Sequence, residues 1–110
     1  ESTQLAMHGY LLRDATPQRE ASSKWFVSQN EYPEEEYPPF LSGWAYLTTP
    51  AAINRILSNA VTSPVFWIDD VYVTGLLRAH TNIELRPLNG LYTVTAAHLR
   101  CCVEAPAVQC

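Results

Sequence analysis

The sequence predicts an α/β fold, and three observations carry that prediction. Segments of strand-like composition alternate with segments of helical periodicity. One strand candidate, residues 40–47, is apolar on both faces, as strands covered on both sides are. The chain has 110 residues, and its segments are too few to close a doubly wound sheet alone, so the expected fold is a partial one.

The first strand candidate is Leu5-Ala6-Met7-His8-Gly9-Tyr10-Leu11-Leu12, within an otherwise polar stretch of residues 1–23. Arg13-Asp14-Ala15-Thr16-Pro17 ends it, because Pro17 turns Thr16 away from helix and has no amide to give a ladder. Lys24-Trp25-Phe26-Val27-Ser28, dense in aromatic and β-branched residues, is the second strand candidate. Pro33, Pro38 and Pro39 then exclude regular structure from residues 31–39. In the third candidate Phe40, Trp44 and Tyr46 share one face, and Leu41, Ala45 and Leu47 share the other. Gly43 interrupts it, and a glycine inside a strand marks a bulge or the close approach of a ligand.

Thr49-Pro50 is a helix start, a capping hydroxyl followed by proline at the first helical position. Ile53, Ile56, Leu57, Ala60 and Val61 follow at the spacing of one helical face, which is expected to be buried. Ser63-Pro64 ends that helix. The apolar run Val65-Phe66-Trp67-Ile68 has the character of a buried strand, and Asp69-Asp70 behind it opens a second helix with the stripe Val73, Leu76 and Leu77. Residues 83–86 form a short strand candidate and Asn89-Gly90 a turn. Residues 91–110 show no decisive period, and there is no internal repeat.

Hydrophobic residues at 47% against 16% charged exclude a disordered chain. A net charge of −4 with scattered cations gives no reason to expect nucleic acid. No apolar run approaches the ~20 residues that span a bilayer. Cys101, Cys102 and Cys110 lack the spacing of a zinc site. Their odd number fits a lumenal or secreted protein with partners elsewhere, and fits reduced thiols equally well.

The residues with the clearest chemical potential are the adjacent acids Asp69-Asp70. A helix cap needs one short polar side chain, so capping accounts for only one of them. The end of a buried strand is where open α/β sheets place ligand crevices, and a carboxylate there can take a proton from a substrate hydroxyl. Seven aromatic residues lie between Trp25 and Tyr46. Most belong in a core, but Tyr32 and Tyr37 sit in the proline-rich loop, where a ring in a cleft offers a flat apolar face to a sugar. Glu34-Glu35-Glu36 has the character of a solvated loop face. His8 is structural, His80 lies near the end of the second helix, and His98 has no defined setting. No glycine-rich phosphate loop or nucleophile elbow is present.

Taken in order, Lys24-Trp25-Phe26-Val27-Ser28, Glu31-Tyr32-Pro33, Tyr37-Pro38-Pro39-Phe40, Ser42-Gly43-Trp44-Ala45-Tyr46 and Asp69-Asp70-Val71-Tyr72-Val73-Thr74-Gly75 resemble the β-1,3-galactosyltransferase family of Golgi hexosyltransferases. The family pattern is approximately K-W-x-V-S, E-Y-P, Y-P-P-Y, S-G-x-x-Y and E-D-V-Y-x-G, and the resemblance covers about residues 20–78. It implies the C-terminal half of a GT-A-like (nucleotide-diphospho-sugar transferase) fold and an inverting enzyme. The donor would be UDP-galactose or UDP-N-acetylglucosamine, the product a β-1,3 bond to a glycan acceptor, and the metal manganese. It also implies a Golgi parent with a type II signal-anchor in the membrane.

Position by position, Asp70 matches the family's catalytic base. Asp69 stands where the family has a longer glutamate, and Phe40 replaces a tyrosine. Gly43 and Tyr46 match the segment expected to line the acceptor side, and Trp44, Tyr37 and Asp69 complete the expected substrate-binding set. The family's acidic metal motif normally lies upstream of this region, and nothing in residues 1–23 resembles it. His98 is the one late histidine that could serve metal or diphosphate, and the chain by itself is expected to be inactive. The alternative is a non-catalytic carbohydrate-binding or structural remnant, which would keep aromatic residues in a cleft and need no acid at position 70.

Overall fold

Gly9 lies at the centre of the sheet because it carries no side chain: a Cβ there would stand 2.8 Å from Tyr46 Cβ on the neighbouring strand. It belongs to β1 (Ala6–Leu12), the middle strand in the computed structural model, which describes residues 4–92 and 96–104 apart from the side chains of 98, 99 and 102. Among the described residues the sheet has three strands in the order β2-β1-β3. β2 (Phe40–Thr48) runs antiparallel to β1, and β3 (Glu84–Pro87) runs parallel to it. Arg13 and Asp14 end β1 as expected, with Asp14 in the left-handed region at φ 58°.

Between Gly9 and Leu11, β1 advances two residues while its partner advances five, from Tyr46 to Leu41. Three residues of β2 are therefore extra, and residues 42–45 bulge off the ladder around Gly43. The bulge expected from that glycine is present. The expected burial of both faces is not: β2 is the outermost strand of the described sheet, and Trp44 and Leu47 are 64% and 67% exposed.

Thr49 caps α1 (Pro50–Ala60), its hydroxyl accepting from the Ala52 amide at 3.2 Å. The helix was expected to bury Ile53, Ile56, Leu57, Ala60 and Val61, but only Ile56 of these is fully buried, together with Ala52, and Ala60 is partly buried. Ile53, Leu57 and Val61 face outward. Asn59 explains the rotation: its side-chain amide donates to Leu77 O, which turns the Ala52–Ile56–Asn59 side toward the sheet.

Two other expectations fail, and in the first of them local turns take the backbone groups a ladder would need. Lys24-Trp25-Phe26-Val27-Ser28 is not a strand. The Phe26 amide closes a turn onto Ser23 O, Val27 N donates to Gln18 O, and the only β-contact is the single bridge Gln18–Phe26. The Arg19 guanidinium takes the carbonyls of Val27, Tyr32 and Glu34. Val65-Phe66-Trp67-Ile68 is also irregular. Phe66 is buried, whereas Val65 and Trp67 are exposed.

Asp69-Asp70 does open a helix, but its body, Val71–Leu76, is π-helical before a single α-turn, α2 (Leu77–Ala79). The Leu77 amide reaches Tyr72 O, five residues back. Two side chains occupy carbonyls that an α-helix would give to amides: Thr74 Oγ1 donates to Asp70 O at 2.8 Å, and Arg78 Nε donates to Thr74 O at 2.7 Å. The wider pitch moves the buried stripe to Val71, Thr74, Gly75 and Leu77, leaving Val73 and Leu76 of the expected set only partly covered.

Met7, Leu11, Leu41, Ala52, Ile56, Leu77 and Ile83 form one core cluster, and Val27, Tyr32, Tyr37, Phe40, Phe66 and Val71 form a second. The second encloses the proline-rich loop, which has no regular structure, as expected. Asn89 opens a 3₁₀ turn (Asn89–Leu91), and its side chain pairs with both the amide and the carbonyl of Leu11. Residues 96–104 form α3 (Ala96–Glu104), in which Cys101 is disulfide-bonded rather than a reduced thiol. No helix among the described residues is long and apolar enough to cross a membrane.

Tyr72 packs against both clusters, and Thr74, two residues on, has a fully buried side chain. The Thr74 hydroxyl accepts from the Leu41 amide at 2.8 Å while donating to Asp70 O. As the outermost described strand, β2 has no ladder partner for that amide. Thr74→Val should therefore leave it buried and unpaired, lowering stability by about 1–3 kcal/mol. Thr74→Ser keeps the hydroxyl and should fall well short of that loss. Urea unfolding of the two variants side by side measures the difference.

Candidate functional site

Asp70 reaches the surface at the junction of the π-helix with the β2 bulge. One carboxylate oxygen accepts from the Val71 amide at 3.1 Å, and the other accepts from the Gly43 amide at 3.3 Å. The first bond is the helix cap. The second exists because the bulge turns the Gly43 amide out of the ladder and toward the helix. The side chain is half-buried, and Asp69 beside it is exposed.

Asp70 forms part of the wall of a cleft of about 270 Å³, with Leu12, Gln18, Trp25, Tyr37, Phe40 and Ile68 among the other lining residues. The lining is mainly apolar, with few polar groups and one carboxylate, a composition typical of small-molecule sites. Trp25 of this lining lies parallel to Trp67 outside it, their ring centres 6.0 Å apart and their planes 9° from coincidence. Lys24 Nζ lies 5.3 Å from the Trp25 ring centre.

Four of the residues expected at the site come together: Asp70, Asp69, Gly43 and Tyr46. Burial raises the Tyr46 phenol above its ordinary pKa of 10.0, and the charges of Asp69 and then Asp70 push it the same way. Tyr37 also reaches the cleft, but as a core ring whose buried hydroxyl has no hydrogen-bond partner among the described residues. Tyr32, weighed with it as an open sugar face, is buried and donates to Glu36 O at 2.8 Å. Trp44 does not line this cleft. It projects from the bulge beside Tyr10, 6.4 Å between ring centres. The side chain of His98 lies outside the described residues.

Trp25 and Trp67 are not brought together by the sequence, which places Trp25 in a strand candidate and Trp67 in a buried strand. The one available signal was an aromatic residue placed just before the Asp69-Asp70 pair. No three His, Cys, Asp or Glu side chains gather as metal ligands among the described residues, so these residues do not by themselves fit the expected manganese ion.

The family model described as Galactosyltransferase matches residues 1–89. The chain is 36% identical over 92 residues to human beta-1,3-galactosyltransferase 5, which covers 84% of this chain and 29% of that protein. Over 71 residues it is 34% identical to Drosophila melanogaster beta-1,3-galactosyltransferase brn, 64% of this chain and 22% of that protein. Human beta-1,3-galactosyltransferase 2 is 34% identical over 79 residues, 72% of this chain and 18% of that protein. The chain thus spans under a third of the length of each of these relatives.

The tyrosines of the site make stability depend on pH. Burial comes first among the causes that raise Tyr32, Tyr37 and Tyr46 above 10.0. The folded state therefore holds these phenolic protons more tightly than the unfolded chain does. Their contribution should be fully present below about pH 10 and be lost as pH rises through the higher folded values. The urea midpoint should hold from about pH 7 to about pH 9 and fall by about pH 11. Tyr46→Phe should lessen that fall, with phenolate absorbance followed in parallel.

Proposed function

Because the chain belongs to the galactosyltransferase family, we propose that it forms the acceptor side of a hexosyl-transfer site in which Asp70 is the general base. In this reading an acceptor glycan enters the cleft and one of its hydroxyls donates to Asp70. The hydroxyl oxygen attacks the anomeric carbon of a UDP-sugar as the bond to UDP breaks. Its proton passes to the carboxylate, and the new bond is β-1,3 with inversion at the anomeric centre. The donor is UDP-galactose or UDP-N-acetylglucosamine. A membrane-anchored parent in the Golgi lumen belongs to the same proposal, supported by family membership alone.

One observation supports this reading above the others. Asp70 is fixed by amides from two separate elements, each carboxylate oxygen accepting one of them. Further lone pairs remain for a substrate hydroxyl, at the wall of a cleft sized for a small ring. A base held in this way needs no rearrangement to lie within hydrogen-bond reach of the proton it takes.

The test is Asp70→Asn in the active protein that carries this chain. Asn keeps the helix cap but has one acceptor oxygen, so the bond to the Gly43 amide is lost, a cost of about 0.5–1.5 kcal/mol. The protein should melt slightly earlier and remain folded. Turnover should fall by about 10²–10⁴-fold with donor affinity near wild type. Turnover close to wild type would reduce Asp70 to a structural cap. Loss of UDP-sugar affinity would instead place the carboxylate on the donor side.

A further inference from the structure

The Trp25–Trp67 pair contributes to neither core cluster. The two rings are 50% and 47% exposed, and they come from irregular segments more than forty positions apart in sequence. Both segments are anchored independently of the stack. The Trp25 segment is anchored through Arg19 and the Val27 amide, and the Trp67 segment through the buried Phe66 and the helix that Asp70 caps. The fold would close without the rings, yet Trp25 lines the cleft that holds Asp70 and Trp67 stacks parallel to it.

At about 270 Å³ that cleft lies at the lower edge of small-molecule sites, which run to roughly 300–1,000 Å³. It has room for one sugar-sized ring. A second ring of the same ligand must extend past the cleft, and on the Trp25 side the surface offered to it is the tryptophan pair. The C–H face of a pyranose is flat and apolar, and an indole face is its natural partner, with wet edges left for the hydroxyls.

We propose that the Trp25–Trp67 stack is a specificity-determining platform for the second sugar ring of the acceptor, favouring a disaccharide over a single hexose. This rests on the acceptor-side reading of the cleft. The platform requires only that a saccharide occupy the cleft, whereas the role of Asp70 requires proton transfer, so the two can fail separately.

The probes are the methyl β-glycosides of a single hexose and of the matching disaccharide, with galactose and then N-acetylglucosamine as the terminal ring. Tryptophan emission of the protein is titrated with each, and turnover is measured alongside where the active protein transfers sugar. The disaccharide should change the emission and bind on the order of tenfold more tightly than the single hexose, the scale of one aromatic contact. Trp67→Ala should abolish that preference while leaving affinity for the single hexose unchanged, and Trp67→Tyr, which keeps a ring, should restore part of it.

If Asp70→Asn proves fully active while Trp67→Ala loses the preference, the platform stands without the base. The proposal is overturned if wild type binds both probes equally or neither, or if Trp67→Ala keeps the full preference.

Discussion

The Thr74 hydroxyl accepts from the Leu41 amide and donates to the Asp70 carbonyl, both at 2.8 Å. It ties the first residues of β2 to the first turn of the helix that follows Asp70. Three features of the site depend on that tie. The start of β2 is fixed, so its three extra residues must bulge beyond Leu41. The Asp70 carbonyl is occupied by a side chain, which favours π-helical pitch over α-helical pitch. The Asp70 side chain is then held within reach of the Gly43 amide on the bulge. In a site with so little regular structure, one buried hydroxyl with both its roles filled sets the relative position of two elements.

Arg19 and Arg78 have a similar part elsewhere. Arg78 donates to the carbonyls of Thr74 and Pro39, joining the π-helix to the end of the proline-rich loop. Arg19 gathers three carbonyls from residues 27–34. A guanidinium offers five donors in a fixed plane, enough to satisfy several carbonyls that no ladder reaches. Burial lowers the Arg78 pKa, because loss of solvent disfavours the charged guanidinium. These two side chains give hydrogen-bond donors to carbonyls in and beside the irregular stretch between β1 and β2.

The aromatic residues divide into two groups with different consequences. Tyr32, Tyr37, Phe40 and Phe66 interlock, with ring centres 5.0–6.1 Å apart, and make the floor on which the cleft rests. Trp25, Trp67 and Trp44 remain exposed around it. Buried rings hold the wall rigid, and exposed rings offer surface to a ligand. Position along the chain does not separate the two groups, because they interleave: Trp25 precedes Tyr32, Trp44 follows Phe40 and Trp67 follows Phe66.

Local chemistry fixed much of this protein before any tertiary contact formed. The Thr49-Pro50 helix start, the end of β1 before Pro17, the irregular course of residues 31–39, the Asn89-Gly90 turn and the bulge at Gly43 are each set by a residue's own hydrogen-bonding or steric limits. The order of five short motifs likewise carried the family. Tertiary structure decided which apolar faces are buried. It left Trp44 and Leu47 exposed on β2, rotated Ile53 and Leu57 outward, turned two predicted strands into loops and made a helix π-helical. Periodicity records that a face is apolar but not what lies against it. A strand forms only where another backbone stands ready to pair, and around residues 24–28 Arg19 and nearby turns had already taken those groups.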